Sequence, residues 1–298
     1  MASILLRARQ LYSFSVWHPG DRRHDGRPQA VKGSEQGMAI DGRGKVAVVT
    51  GASSGIGRQT ALALARAGFD VAVGARRKER LADLVDEIAR ETGKAAYAAA
   101  LDVTSASSID AFVEGVLQHF GVVHVLVNNA GKALGRDPVE SADEADWQEM
   151  LDTNVMGLMR MTKRFLPHIV ASGDGHIVNL GSIAGHESYA GGSVYCATKF
   201  AVRAITEALR HELLGKPVRV TSIDPGMVET EFSLVRFHGD AAEAAKVYQG
   251  VRPLTADDIA DCIVFAVTRP AHVNIDEMIV TSIDQAGARV FHRKGTPS

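Results

Sequence analysis

The stretch Lys45–Gly57, "KVAVVTGASSGIG", runs from a short apolar segment into a turn of glycine and serine residues. The apolar segment has the length and the β-branched residues of a buried strand. The chain after it, Gly55–Gly68 ("GIGRQTALALARAG"), has helical periodicity and ends at a glycine, as helices often do. A strand, a tight turn and a helix in this order predict the first unit of an alternating α/β fold.

The same alternation continues to the end of the chain. Six further apolar segments are predicted as strands at Asp70–Ala75, Ala95–Leu101, Val123–Val127, His176–Leu180, Val218–Ile223 and Glu277–Thr281. Five further helices are predicted at Lys78–Glu91, Ser105–Phe120, Asp146–Val170, Val194–Leu214 and Asp257–Val267. Apolar strands separated by helices are typical of a parallel sheet covered on both faces. We therefore predict a single doubly wound Rossmann domain with a parallel sheet of about seven strands.

Composition and charge exclude several classes of protein. The 298 residues, 46% of them hydrophobic, are enough for one large α/β domain with a sizeable core. A formal net charge of -2 gives no general electrostatic basis for binding nucleic acid or an anionic membrane. The two cysteines, Cys196 and Cys262, cannot form a disulfide framework, and no apolar run approaches the ~20 residues of a transmembrane helix. We expect a cytoplasmic protein that binds neither nucleic acid nor membrane.

The first 40 residues differ in composition from the rest. Met1–Val31 contains five arginines and has no acidic residue before Asp21. Two interpretations stay open: a flexible or wrongly assigned extension, for which Met38 offers a later start, and an organellar transit peptide. We predict an extension at residues 1–40, without secondary structure, and the folded domain at residues 41–298.

The turn between the first strand and the first helix predicts a phosphate-binding site. Its glycines, Gly51, Gly55 and Gly57, would let the backbone approach a pyrophosphate, and the helix N-terminus offers unpaired N–H groups. The spacing differs from the GxGxxG pattern of many dinucleotide sites, and no lysine follows as in a P-loop. The position of the turn at the first strand–helix junction therefore carries more weight than the spacing.

Six motifs resemble, in order, those of the short-chain dehydrogenase/reductase family. They are TGASSGIG (Thr50–Gly57), NNAG (Asn128–Gly131), Asn154, Ser182, YCATK (Tyr195–Lys199) and PG (Pro225–Gly226). The similarity runs from Val46 to the C-terminus. Within the family, "ETEFSLVRFHGD" (Glu229–Asp240), "PLTADDIAD" (Pro253–Asp261) and "HVNIDEM" (His272–Met278) are similar to the NADP-dependent 3-hydroxy acid dehydrogenases.

The resemblance implies four catalytic residues: Asn154, Ser182, Tyr195 and Lys199. Tyr195 and Lys199 are four residues apart in a predicted helix, so their side chains lie on one face. Tyr195 would carry the proton to and from the substrate oxygen, which Ser182 would also bind. We expect Lys199, together with an oxidised nicotinamide, to lower the pKa of Tyr195 by about three units. The family places a bound water on Asn154, near the lysine.

The end of the second strand predicts the cofactor. An acidic residue there would bind the ribose 2′-hydroxyl of NAD, but this chain has Ala75, followed by Arg76 and Arg77. Arg76, assisted by Ser53, suits the 2′-phosphate of NADP. With the family resemblance, the full predicted cofactor set is Gly51, Ser53, Ser54, Gly55, Ile56, Gly57, Arg76, Arg77, Asp102, Val103, Asn129, Ala130, Tyr195, Lys199, Pro225, Gly226, Val228 and Thr230.

The sequence predicts the type of reaction but does not decide which substrate the protein uses. A hydroxy acid needs a cation for its carboxylate, and the candidates are Arg236, in the segment that covers the active site in this family, and Arg136. No metal site is predicted, because no HExxH motif or paired cysteine ligands occur.

Three functions follow in order of preference. The first is an NADP-dependent 3-hydroxy acid dehydrogenase for serine-like or 3-hydroxypropionate-like acids. The second is a broader carbonyl or aldehyde reductase, sulfonate aldehydes included, and the third is a non-enzymatic NADP-sensing protein. By analogy with the family we expect a homotetramer.

Overall fold

In the computed structural model, which describes residues 42–295, the strands form one sheet in which all neighbouring strands are parallel. The strands are β1 (Val46–Thr50), β2 (Asp70–Ala75), β3 (Tyr97–Ala100), β4 (Val125–Asn128), β5 (Gly175–Leu180), β6 (Val218–Pro225) and β7 (Glu277–Val280). Their order across the sheet is β3-β2-β1-β4-β5-β6-β7. The predicted parallel sheet of about seven strands is confirmed.

Helices cover both faces of this sheet. They are α1 (Gly55–Arg66), α2 (Lys78–Thr92), α3 (Ala106–Phe120), α4 (Glu144–Leu151), α5 (Leu158–Ala171), α6 (Ser193–Glu212), α7 (Phe232–Arg236), α8 (Ala241–Lys246) and α9 (Ala256–Val267). One apolar core joins α1, α2 and α9 to the sheet, and a second joins α3 and α5 to the other face. Burial on both faces explains why the central strands are apolar throughout.

The strand order fixes the place of the ligand cleft. β1 lies between β2 and β4. The chain continues from β1 to β2 on one side of this point, and from β4 to β5 on the other side, so the strand order reverses between β1 and β4. In open α/β sheets, ligands bind at this reversal, outside the carboxyl ends of the strands. The glycine-rich turn after β1 and the NNAG segment after β4 both lie there.

One predicted helix is divided in the structure, and two short helices were not predicted. The segment predicted as a helix at Asp146–Val170 consists of α4, a π-helical turn at Asp152–Gly157, and α5. Such turns occur often at functional sites, and this one contains Asn154. α7 and α8 have only 5 and 6 residues, too few for a helical periodicity to be recognised.

Two further expectations from the sequence concern the N-terminal extension and the absence of membrane-spanning helices. The predicted extension at residues 1–40 lies outside the described residues and stays a prediction. Within residues 42–295, no helix combines the length and the apolar character needed to cross a membrane.

Candidate active site

A cleft of about 390 Å³ lies at the carboxyl ends of the strands. Every residue of the predicted cofactor set lines it except Gly57, and the predicted catalytic residues Ser182, Tyr195 and Lys199 line its inner part. The four catalytic positions come from three places: the π-helical turn before α5, the end of β5, and α6. The fold therefore gathers into one cleft most of the motifs that are spread over the sequence.

The glycine-rich turn closes against the end of β4. Gly51 has φ +67°, and a Cβ atom on it would lie 2.9 Å from the Ala130 Cα, so neither the conformation nor the space suits a side chain. The Thr50 hydroxyl accepts hydrogen bonds from the backbone N–H groups of Asn129 (3.0 Å) and Ala130 (2.9 Å). Gly57 is not among the residues that line the cleft, and a Cβ on it would come within 2.3 Å of the Asn129 amide nitrogen. A glycine is therefore required there for the close packing of the turn, and the contact of Gly57 with the cofactor stays a prediction.

Tyr195 and Lys199 are both buried on one face of α6, as their spacing predicts. The Lys199 Nζ atom lies 6.0 Å from the centroid of the Tyr195 ring and donates a hydrogen bond of 2.8 Å to the Leu180 carbonyl. Burial lowers the pKa of Lys199 to about 8, partly opposed by the charge of Asp224. The ammonium form therefore predominates at neutral pH, although it is held less strongly than on a surface lysine.

The pKa of Tyr195 is raised rather than lowered by the protein groups. Burial raises it to about 12, against the smaller lowering effects of the Arg236 charge and of a hydrogen bond with Ser182. In the chain without a cofactor, desolvation of the phenolate outweighs the nearby positive charges, and the lowering of the Tyr195 pKa stays a prediction for the cofactor complex. The prediction also included the positive charge of an oxidised nicotinamide, so that contribution would have to be large.

Ser182 lies where β5 ends, directly before a short 3₁₀ turn at Ile183–Gly185. Its Oγ atom accepts a hydrogen bond from the Ala184 N–H at 3.1 Å and has only a long contact, 3.5 Å, to the Pro225 carbonyl. The hydroxyl hydrogen can therefore turn toward Tyr195 or a substrate oxygen. Tyr195 and Ser182 form a pair that can bind one oxygen from two sides.

Asn154 is buried behind the cleft. Its Oδ1 accepts from the Lys132 N–H (2.8 Å), and its Nδ2 donates to the Lys132 carbonyl (2.8 Å) and to the Thr198 hydroxyl (3.1 Å). A Cβ on Gly131 would lie 3.3 Å from Asn154 Oδ1 and 3.9 Å from Lys199 Nζ, so both atoms approach the same glycine. These bonds join the segment after β4 to α6. The water that the family resemblance places on Asn154, near the lysine, stays a prediction.

Two arginines flank the outer end of the cleft, as the sequence predicts, but they differ in surroundings. Arg77 donates hydrogen bonds to the hydroxyls of Ser53 (3.0 Å) and Ser54 (2.8 Å). Arg76 is exposed and has no hydrogen bond or ion pair with any residue in the range 42–295. Ser53, expected to assist Arg76, is therefore held by Arg77 instead.

Sequence reasoning missed Glu231 at this end of the cleft. Its carboxylate pairs with Arg77 at 2.9 Å and with Arg80 at 2.6 Å, and these arginines together lower the pKa of Glu231 against the opposing effect of burial. A carboxylate bound to these arginines occupies a place that a phosphate could take. No local pattern could have indicated this pair, because 154 residues separate Glu231 from Arg77.

The residues present fit NADP(H). The glycine cradle after β1 suits a pyrophosphate, Arg76 keeps its charge free for a 2′-phosphate, and no acidic residue stands at Ala75 to bind a ribose 2′-hydroxyl. Asp102, predicted to contact adenine, is ionised at the cleft edge. Partial burial raises its pKa, but hydrogen bonds from Thr104 and the charge of Arg76 outweigh that effect and lower it.

A second cavity of about 210 Å³ opens beside Ser182 and Tyr195, two of the predicted catalytic residues. Both arginines predicted for the substrate, Arg236 and Arg136, lie in its wall. The guanidinium carbon of Arg236 is 4.8 Å from the Tyr195 ring centroid, and its Nη2 donates to the Tyr189 hydroxyl at 3.0 Å. Its Nε is buried and has no hydrogen-bond partner among residues 42–295. The structure therefore brings a cation with an unused donor beside the tyrosine that is predicted to be catalytic.

In the described part of the chain, one cluster of three side chains is close enough together to hold a metal ion. His186, Asp224 and Glu277 offer ligand atoms that lie within 4.8 Å of one another. These groups also bond to protein partners: Asp224 to the hydroxyl of Ser222 (2.5 Å) and to His186 (2.6 Å), and Glu277 to Arg203 (3.1 Å). The group therefore has the contacts of a hydrogen-bonded network behind the cleft.

Comparison with known proteins identifies the class of this fold and site. The family model described as short chain dehydrogenase matches residues 45–239. The chain therefore belongs to the short-chain dehydrogenase/reductase family of oxidoreductases, and the sequence-based assignment is confirmed.

Individual members of the family show which enzymes have sequences and structures similar to this chain. The chain is 44% identical to the NADP-dependent 3-hydroxy acid dehydrogenase of Schizosaccharomyces pombe, over 84% of this chain and 97% of the relative. It is 42% identical to sulfoacetaldehyde reductase 2 of Chromohalobacter salexigens, over 81% and 95%. Among solved structures, the closed form of serine dehydrogenase complexed with NADP+ matches with a TM-score of 0.77 and 41% identity, over 84% and 100%. The predicted kinship with 3-hydroxy acid dehydrogenases is confirmed.

Proposed function

We propose that this protein is an NADP-dependent dehydrogenase that interconverts a 3-hydroxy acid and the corresponding 3-oxo acid. The observation that carries the proposal is Arg236, whose guanidinium lies against the ring of Tyr195 with an unpartnered, buried Nε. A buried N–H donor without a hydrogen-bond partner is costly unless a ligand pairs with it. A carboxylate close to the reacting carbon would do so. The names of the relatives agree with this substrate class.

The catalytic steps follow from the positions of three side chains. NADPH supplies the hydride to the carbonyl carbon when it is bound in the cleft, and NADP+ accepts it in the reverse direction. Tyr195 donates its hydroxyl proton to the substrate oxygen in reduction and accepts it in oxidation. Ser182 donates a hydrogen bond to the same oxygen as negative charge develops there. The Lys199 ammonium, 6.0 Å from the tyrosine ring, favours the phenolate form.

Arg236→Ala tests the role of the acid group. We expect the ratio of kcat/KM for a 3-hydroxy acid to kcat/KM for an uncharged alcohol to fall about 10- to 100-fold, because a charged hydrogen bond contributes roughly 1.5–3 kcal/mol. Steady-state assays with 3-hydroxypropionate and 1-propanol, following NADPH formation, measure this ratio. The ratio removes any general effect of losing a charge beside Tyr195.

Arg136→Ala serves as the companion variant, since Arg136 lies in the same wall. If both variants lose activity equally toward acids and neutral compounds, Arg236 does not bind the acid group. The broader carbonyl reductase would then be the better interpretation.

A sulfonate aldehyde is the substrate of the second candidate function. One relative is named a sulfoacetaldehyde reductase, and a sulfonate is an anion that Arg236 could bind as well as a carboxylate. Reduction of sulfoacetaldehyde and of malonic semialdehyde by NADPH under identical conditions separates the two functions by their kcat/KM values. The third candidate, an NADP-sensing protein, is disfavoured because Tyr195, Lys199 and Ser182 share one cleft.

We also propose a cytoplasmic homotetramer. Large apolar side chains lie exposed on the helices that carry or adjoin Asn154 and Tyr195: Leu151, Met156, Met159 and Phe200, each between 41% and 45% accessible. Burial of such side chains between subunits is favourable. Light scattering after gel filtration should give a mass four times the 31.8 kDa of one chain. A mass of one chain at micromolar concentration would refute the tetramer.

A further inference from the structure

We infer that the substrate cavity holds a second anion-binding subsite, formed by Arg136 and Arg289, and that the preferred substrates are 3-hydroxy acids with a second acidic group. This inference rests on the proposed function, because it takes Arg236 as the partner of the first carboxylate. It adds a residue, Arg289, that the sequence did not indicate.

Three arginines, Arg136, Arg236 and Arg289, lie in the wall of the second cavity, and two of them contact Tyr189. Arg236 donates to the Tyr189 hydroxyl at 3.0 Å, and the guanidinium carbon of Arg289 lies 5.5 Å from the centroid of the same ring. Arg136 is half-buried beside them, and burial followed by the charges of Arg289 and Arg236 lowers its pKa. The charge of Arg136 therefore lies close enough to those of Arg289 and Arg236 to be repelled by them.

None of the three arginines forms an ion pair with a carboxylate of the described chain. The other basic residues in this wall are already used. Lys246 pairs with Glu243, the one acidic residue of the cavity wall, and Arg293 donates to the Val247 carbonyl at 3.1 Å. The unpaired charge is thus confined to the part of the wall around Tyr189.

The backbone that carries Arg289 is fixed in place. The Ala288 N–H donates to the Glu187 carboxylate at 2.9 Å, and Gln285 forms an antiparallel bridge with Phe291. Gln285 also accepts a hydrogen bond of 2.8 Å from the Met227 N–H, next to the cofactor-binding segment. The arginine therefore projects from an anchored segment, although its own side chain is exposed.

A single carboxylate would neutralise only part of this charge. Arg236 contacts the ring of Tyr195 and is placed for the acid group near the reacting carbon. Arg289 lies over Tyr189 instead, so it is placed for a group farther along the substrate. A second carboxylate there would relieve the repulsion between the arginines and could bind a guanidinium in bidentate geometry.

The test compares 3-hydroxyhexanoate with 3-hydroxyhexanedioate, which differ by one methyl group replaced with a carboxylate that lies farther from the reacting carbon than the first. We expect wild-type kcat/KM to be at least about tenfold higher for the diacid, the gain of a charged hydrogen bond. Arg289→Ala and Arg136→Ala should each reduce the diacid-to-monoacid ratio by about tenfold. Lys246→Ala, a cation of the same wall that is already paired, should leave the ratio as in the wild type.

Binding of NADPH and the thermal unfolding midpoint are measured for each variant, so that misfolding is recognised, and Arg289→Lys provides a variant that keeps the charge. Oxidation of the monoacid without preference for the diacid, or variants with an unchanged ratio, would overturn the inference and leave the proposed function standing. Failure of both acids to react would overturn both.

Discussion

Replacing Tyr195 with phenylalanine is expected to lower kcat by about 100- to 10,000-fold, the usual contribution of a positioned acid–base group. The ring stays in place, since it packs against Phe232 at 5.8 Å between centroids and under the Arg236 guanidinium. Only the hydroxyl that transfers the proton is lost. NADPH binding, measured by fluorescence titration, should therefore change little.

Tyr248→Phe is the matched control. Tyr248 lies in the wall of the second cavity, where its hydroxyl forms a hydrogen bond of 2.7 Å with the Ser233 hydroxyl. The substitution removes one phenolic oxygen, as Tyr195→Phe does, but not the oxygen of Tyr195 or Ser182. Activity of Tyr248→Phe should stay close to that of the wild type. If Tyr195→Phe kept more than about a tenth of the wild-type kcat, another group would have to supply the proton.

The second large effect concerns the cofactor. Arg76→Ala and Arg77→Ala should each raise KM for NADPH by about 10- to 100-fold, because each is expected to lose a charged partner of the 2′-phosphate. KM for NADH should change by less than a factor of about two, since that cofactor has no phosphate at this position. The wild type should use NADPH far more efficiently than NADH, and similar kcat/KM values for the two would contradict this assignment.

Glu231→Gln provides the opposite change at the same site. Its carboxylate holds Arg77 and Arg80 by ion pairs, and a bound phosphate would have to compete with it for Arg77. We expect the variant to bind NADPH several-fold more tightly, with little effect on NADH. The ion pairs are partly exposed, so the difference should shrink as the salt concentration rises.

The sequence alone was sufficient for the fold and for most of the cleft. Alternation of apolar strands and helices is a local property, and a parallel sheet follows because each apolar strand must be covered on both faces. Tyr195 and Lys199 share a helix face through their spacing, and Arg76 follows the second strand directly. Features set by neighbours in the chain could therefore be read from the residues.

The partners and the ionisation of the charged groups around the cleft could be seen only in the tertiary structure. Glu231 reaches Arg77 across 154 residues, and Arg289 reaches Tyr189 from the C-terminal segment, without any local pattern. The raised pKa of Tyr195 likewise depends on burial by residues distant in sequence. Contact between remote segments and loss of solvent arise only when the chain is packed. The sequence therefore predicted most of the residues that line the cleft, whereas their ionisation and their partners were determined by the packing.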